Sequence, residues 1–474
     1  MSEIVDSHSY KRYHEEFMQN LNGTSAAEIF LLILPAPISV FLSNFVIALC
    51  IPLLGNATSN LRNDIKFMFC IDFTVIIVPL ILCFTVLSEC HIVVTSGLLM
   101  GLLSCLAFCW ISQDKGDEFS KKIFRSILTS TITESRRPYI TNFRALTNLM
   151  TAICILAVDF KVFPRRFAKT ENFGYGLMDT GVGLFVISNA IVAPQGKLET
   201  FSSSLGKALR SCIPLILLGG ARFFATKQID YQTHISEYGV HWNFFITLAV
   251  TKIMCTIIIS VMRGVNMLLL PVLLVTAHQV MLSSGMQDWV LSNVSRQDFL
   301  SANREGIVSS LGYIALYFAG ACLAKELKSY GSSFQNNLVS MGKLSIVSIL
   351  LWSIASLCRH CFGVSRRLAN LGYFTWILAL SVSMIAVLLF VELVLKSLNV
   401  MNFSIGYVPL TLDAINFNGL AFFLLANLLT GLINVSVRTL YVDPVPSVMI
   451  LCGYTFILCW LILLLYVKHF KLKI

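Results

Sequence analysis

Leu371-Gly372-Tyr373-Phe374-Thr375-Trp376-Ile377-Leu378-Ala379-Leu380-Ser381-Val382-Ser383-Met384-Ile385-Ala386-Val387-Leu388-Leu389-Phe390-Val391-Glu392-Leu393-Val394-Leu395-Lys396 holds one acid before its closing lysine. A helix crossing a bilayer needs about 20 mostly apolar residues, and this stretch supplies more. Twelve further runs read the same way, near 27–54, 67–86, 92–112, 146–160, 177–193, 212–224, 243–261, 265–282, 306–323, 343–358, 416–435 and 446–467. The expected fold is therefore all-α: a polytopic integral membrane protein with about thirteen transmembrane helices. Backbone groups in lipid must be satisfied within the chain, so the spans are predicted to be helices.

Composition agrees. Of 474 residues, 56% are apolar and 13% charged, and mean hydropathy is +0.77. Soluble domains carry roughly a quarter charged residues, so a soluble fold of this make-up is excluded. The organisation expected is a polar segment over 1–26, one helical bundle over 27–467 and a basic tail over 468–474. The first apolar run carries Pro35 and Pro37 and is too long for a cleaved signal peptide. The net charge of +10 suits a basic face near anionic lipid and does not imply nucleic acid. Most of the fourteen cysteines stand singly inside spans, as small buried hydrophobes. Cys358 and Cys361 form one CxxC without the two further ligands that zinc needs, so no metal site is expected.

Charge inside a bilayer is costly and marks candidate function. The acids within or beside spans are Asp72, Asp159, Asp179 and Glu392, and the bases are Arg222 and Lys252. The plain alternative is that these groups pair with each other or reach for an interface. The densest set runs from Leu156 to Glu171: Asp159 closes the fourth span, Pro164 breaks the helix, and Arg165, Arg166 and Lys169 follow. A stop-transfer flank accounts for the arginines but not for the acid. A held carboxylate can serve as general base toward a hydroxyl. A lysine can stabilise charge developing on oxygen. Arginine forks suit phosphate, so Arg165 and Arg166 are candidate binders of a phosphorylated lipid. Between the sixth and seventh spans, His234 and His241 can act as acid or base, or belong to an interfacial belt with Tyr231, Tyr238 and Trp242. Asn427 and Asn434 lie two turns, about 10.5 Å, apart on one helix face and either pack against neighbouring helices or line a polar cavity.

Six stretches resemble one family. They are Asn20-Leu21-Asn22-Gly23-Thr24-Ser25, the Leu156–Glu171 run, Leu177-Met178-Asp179-Thr180-Gly181-Val182-Gly183, the Ser236–Phe245 run, Asn303-Arg304-Glu305-Gly306-Ile307, and Asn427-Leu428-Leu429-Thr430-Gly431-Leu432-Ile433-Asn434. In this order and with this span layout, the chain resembles the GPI inositol acyltransferases of the phosphatidylinositol-glycan class W type. The resemblance implies an endoplasmic-reticulum enzyme that moves a palmitoyl-type chain from acyl-CoA to the inositol 2-hydroxyl of glucosaminyl-phosphatidylinositol. It implies Asp159 and Lys169 as the catalytic pair. Arg165, Arg166, Asp179, His234, His241, Asn427 and Asn434 are candidates for substrate binding. Acyl-CoA is a co-substrate; no other cofactor is expected, and the sequence names no obligate protein partner. No GxSxG elbow or His-x4-Asp motif suggests an acyl-enzyme, so direct attack of the hydroxyl on the thioester is the simplest scheme. The rival readings are a secondary transporter, which the lack of an internal repeat disfavours, and a non-enzymatic subunit of a lipid pathway.

An odd number of spans puts the termini on opposite sides. Lysine and arginine divide 20 to 13 in favour of the C-terminal side. A cytosolic C-terminus and a lumenal N-terminus follow. In sealed microsomes, protease should digest a C-terminal tag and spare an N-terminal one. Protection of both tags, or of neither, would overturn this layout.

Overall fold

All thirteen apolar runs fall on α-helices in the computed structural model. It describes residues 21–53, 65–111, 126–130, 137–193, 201–228, 235–262, 266–329, 333–401 and 403–472, with a few of the first twenty. In chain order the helices are α1 (Ala26–Cys50), α2 (Ile65–Phe84), α3 (His91–Cys109), α4 (Pro138–Ala157), α5 (Thr180–Val192), α6 (Phe201–Gln228) and α7 (Phe244–Val261). Then come α8 (Leu269–Leu291), α9 (Arg304–Ser329), α10 (Phe334–Phe362), α11 (Leu371–Val400), α12 (Leu410–Phe417), α13 (Gly419–Ser436) and α14 (Pro444–Val467). Among the described residues, eleven helices are long and apolar enough to cross a membrane. α5, at 13 residues, is too short, and the 28-residue α6 stands outside the eleven. The count by length and composition is thus eleven rather than thirteen. The extended backbone among the described residues includes an isolated antiparallel bridge between Thr24 and Tyr175.

The helices differ in what covers them. Only 17% of the apolar window of α3 is buried and 22% of that of α10, against 78% for α4 and α11. Ile92, Val93, Met100 and Leu103 on α3, and Ile346, Ile349, Leu350 and Leu357 on α10, are exposed; that surface suits lipid chains.

The chain divides into two compact units, each assembled from several segments. One contains Met1–Ser25, Arg165–Lys328 and Ile349–Ser381; the other contains Ala26–Pro164, Ser329–Ser348 and Val382–Ile474. In the first, α5 lies close against α9 and the start of α11. A Cβ on Gly320 would come 2.8 Å from that of Ala190, and one on Gly183 would come 2.7 Å from Ile377 Cγ2. Small residues are what permit such approach between helices. In the second, α4 packs on both α12 and α13, and α12 packs on α14.

Helix starts explain two of the buried acids. The first N–H groups of a helix have no partner within it, and in lipid no water replaces one. Asp72, wholly buried on α2, accepts from Thr411 N at the start of α12 (2.9 Å) and from Ser43 Oγ (2.5 Å). Glu392, buried on α11, accepts from Tyr139 N at the start of α4 (2.9 Å). The expectation that Asp72 pairs with another charge or reaches an interface is thereby corrected: its partners are a helix start and a hydroxyl. Gln279 and Asn243 do similar work, accepting from Leu371 N at the start of α11 and from Phe245 N and Ile246 N at the start of α7.

Asp72→Ala should leave the Thr411 N–H and the Ser43 hydroxyl buried without an acceptor, at about 1–3 kcal/mol for each such group. Asp72→Asn keeps a carbonyl oxygen for Thr411 and should cost less. Thermal unfolding in detergent measures the order. Equal melting temperatures for Asp72→Ala and wild type would remove the capping role.

Candidate active site

Asp159 is placed by the way α4 ends. Val158 closes the helix, and the turns Asp159 N to Leu156 O (3.2 Å) and Phe160 N to Ala157 O (3.0 Å) tighten the chain ahead of Pro164. The carboxylate is 2% exposed, and its Oδ2 accepts from Asn434 Nδ2 at 2.7 Å. Asn434 stands in the last turn of α13. α13 starts beside Asn148 in the middle of α4, where Gly419 faces that side chain, so the two helices run side by side in the same direction. Asn427 does something else. Its amide turns back to Phe423 O on its own helix at 2.8 Å. Of two asparagines two turns apart, one serves its helix and one reaches the carboxylate.

The remaining candidates lie in the other unit. Arg165 and Arg166 share a 3-10 turn ending at Phe167. The Arg165 guanidinium sits 4.1 Å from the centre of the Phe17 ring, and Arg166 sits 4.8 Å from that of Phe167. Lys169 Nζ donates to Glu237 Oε2 at 2.7 Å, with both side chains about a quarter exposed. Asp179 is buried, and the chain itself supplies its donors. Thr170 gives its N–H (3.0 Å) and hydroxyl (2.9 Å) to Oδ2, and Arg366 Nε gives to Oδ1 at 2.7 Å. In this arrangement Asp179 ties the 170–180 turn to the Arg366 loop. Burial pulls the Asp179 carboxyl upward, against Arg366 and Thr170. The same burial would lower Arg366, but the Asp179 carboxylate more than reverses it and holds the guanidinium charged. His241 is exposed; its N–H donates to Asn303 Oδ1 (2.8 Å) and its ring stacks near Phe299. His234 lies outside the described residues.

Sequence reasoning passed over Arg366, Glu237 and a cluster around Glu305. Glu305, in the first turn of α9, takes Arg296 on both oxygens (2.5 and 3.0 Å) and Arg367 on one (2.8 Å). Arg304 beside it donates to the carbonyls of Ser292 and Val294. The signal lies in Arg296 before α9 and Arg366 and Arg367 before α11, three basic residues that the sequence alone ranks only as topology charges. The Leu21–Thr24 strand is held by Thr24 N to Tyr175 O (2.7 Å) and Glu171 N to Leu21 O (3.1 Å), which joins two of the six stretches. Among the described residues, no group of three or more His, Cys, Asp or Glu side chains could hold a metal ion.

The fold and these residues define a polytopic all-α membrane protein with a dry carboxylate held by an amide at the end of a buried helix. The chain belongs to the GWT1 family, whose profile matches residues 10–465 and so spans all six stretches. It is similar to GPI-anchored wall transfer protein 1 of Yarrowia lipolytica, 36% identical over 72% of this chain and 75% of that one. It is 33% identical to the phosphatidylinositol-glycan biosynthesis class W protein of Dictyostelium discoideum, over 98% of this chain and 99% of that one. To the glucosaminyl-phosphatidylinositol-acyltransferase PIGW of Mus musculus it is 30% identical, over 96% and 98%.

Breaking one side of a buried ion pair costs on the order of 3–5 kcal/mol, because the other charge is left unpaired. Arg366→Ala should therefore lower the melting temperature sharply. The double variant Asp179→Ala/Arg366→Ala should be no worse than the worse single one. Additive losses would show that the two groups act separately.

Proposed function

We propose that this protein is an inositol acyltransferase of GPI-anchor biosynthesis in the endoplasmic-reticulum membrane. It moves a long-chain acyl group, palmitoyl, from acyl-CoA to the inositol 2-hydroxyl of glucosaminyl-phosphatidylinositol. Membership of a family with relatives named for this reaction, over nearly the whole chain, carries the reading. The buried Asp159 carboxylate, held by Asn434, is the group the chemistry needs.

The hydroxyl oxygen attacks the thioester carbonyl while Asp159 takes its proton. The carbonyl oxygen gains charge as the C–O bond forms, and Lys169, oriented by Glu237, stabilises it. The C–S bond then breaks, the ester is released, and the proton passes from Asp159 to the CoA thiolate. Arg165 and Arg166 grip a phosphate of the lipid or of CoA. His241 and His234 are the reserve acid–base groups. Acyl-CoA is the only small molecule this scheme requires besides the lipid acceptor. The C-terminus faces the cytosol and the N-terminus the lumen.

Purified protein given labelled palmitoyl-CoA and glucosaminyl-phosphatidylinositol should form a labelled lipid that resists phosphatidylinositol-specific phospholipase C, which needs a free 2-hydroxyl. Asp159→Asn keeps the shape and loses the base. Its rate should fall about 10²–10⁴-fold while the protein inserts and melts normally. Lys169→Ala should fall comparably, and the double variant little further, as expected of groups acting as a unit. A folded Asp159→Asn enzyme with near-normal kcat would sink the mechanism.

A further inference from the structure

The Asn434 amide has only one side accounted for. Its Nδ2 donates to Asp159 Oδ2 at 2.7 Å. Turned over, the amide would set two acceptor oxygens against each other at that distance, so the hydrogen-bond network fixes Nδ2 toward the carboxylate. The other end, Oδ1, is then an acceptor by chemistry. It is buried from solvent and has no donor among the described residues. Buried acceptors are nearly always bonded, and an exception asks for an explanation.

The surroundings supply one. Asn434 lies on a helix of which only 28% of the apolar window is buried, and Leu432 and Val435 beside it are exposed. Gly431, most of a turn earlier, has open space where a side chain would be. A lipid can therefore lie along this edge of α13, beside the residue that carries the buried acceptor. Asn434 Oδ1 and Asp159 Oδ2 both neighbour the same Nδ2, one through the amide carbon and one through the hydrogen bond, so the two residues present acceptors next to each other. Two hydroxyls on adjacent ring carbons present two neighbouring donors.

We infer that Asn434 Oδ1 accepts a hydrogen bond from the ring hydroxyl next to the one that Asp159 deprotonates, so that Asp159 and Asn434 together read a vicinal diol. This rests on Asp159 being the base. On the acceptor, one neighbour of the acylated carbon carries the phosphate, so the diol partner is the free hydroxyl on the other neighbour. Asn434 is thus a specificity residue for a cyclic polyol over a simple alcohol, and it holds the base in place with its other end.

The test uses full-length enzyme in detergent, labelled palmitoyl-CoA, and two acceptors: glucosaminyl-phosphatidylinositol and its analogue with hydrogen in place of that neighbouring hydroxyl. Wild type should lose roughly 10–100-fold in kcat/KM on the analogue, the size of one hydrogen bond to a buried group. Asn434→Ala should be slower on the natural acceptor and show no further loss on the analogue. Asn434→Gln, which keeps both an amide donor for Asp159 and an acceptor oxygen, should retain discrimination even if slower, and it serves with the wild-type comparison if Asn434→Ala does not fold. Undiminished discrimination by folded Asn434→Ala, its complete loss in folded Asn434→Gln, or equal use of both acceptors by wild type would overturn the inference. A fully active Asp159→Asn enzyme would instead overturn the base assignment, which separates the two failures.

Discussion

A helix of a membrane bundle that starts away from water has backbone N–H groups and no solvent to take them, and this chain answers with side-chain acceptors, three of them buried. Glu392 accepts at the start of α4, Asp72 at that of α12, Gln279 at that of α11 and Asn243 at that of α7. Anionic groups suit that end of a helix, because the peptide dipoles leave it partly positive. Costly intramembrane acids therefore become anchor points. Each fixes one helix end to another helix, and the rest of the polar interior is placed from these joints. α4 is about 30 Å long, close to the thickness of the hydrocarbon layer. Fastened by Glu392 at one boundary, it delivers Asp159 at the other.

The unit that holds Lys169 is organised by arginine instead. Arg366 joins Asp179, and Arg296 and Arg367 converge on Glu305 at the start of α9. Arg367 also donates to Asn172 and to Val290 O, so one guanidinium ties the 170–180 loop to α8 and α9. Planar forks with five donors do this where a lysine cannot. Such staples tie the polar segments of this unit to one another across long stretches of sequence.

The sequence made the helices legible because lipid imposes length and apolarity on them, and all thirteen runs fall on helices. It misjudged those that face protein. The fourth run was read from 146, whereas α4 begins at Pro138; Tyr139, Thr141, Asn142 and Arg144 look like a loop only if lipid is the assumed surrounding. α12 escaped notice because eight residues cannot span a bilayer and periodicity alone does not find a buried stub. Asp72 and Glu392 were visible as charges, but their partners are backbone N–H groups, which every sequence position offers alike. Asp159 and Asn434 were each visible too; their contact joins residues 275 positions apart, and no local pattern encodes it.

Two carboxylates also stand at the two ends of α4, Glu392 reaching across from α11 and Asp159 in the turn that follows the helix. Glu392 faces the start of the helix, where an N–H without an intrahelical partner and the positive end of the peptide dipoles receive it. Asp159 lies just past the other end, among the last carbonyls, and takes an amide N–H from Asn434 on α13. The two ends of one helix are thus met by different partners, a carboxylate from α11 at its start and a side-chain amide from α13 just past its end, and the direction of its backbone sets which kind of group each end can receive.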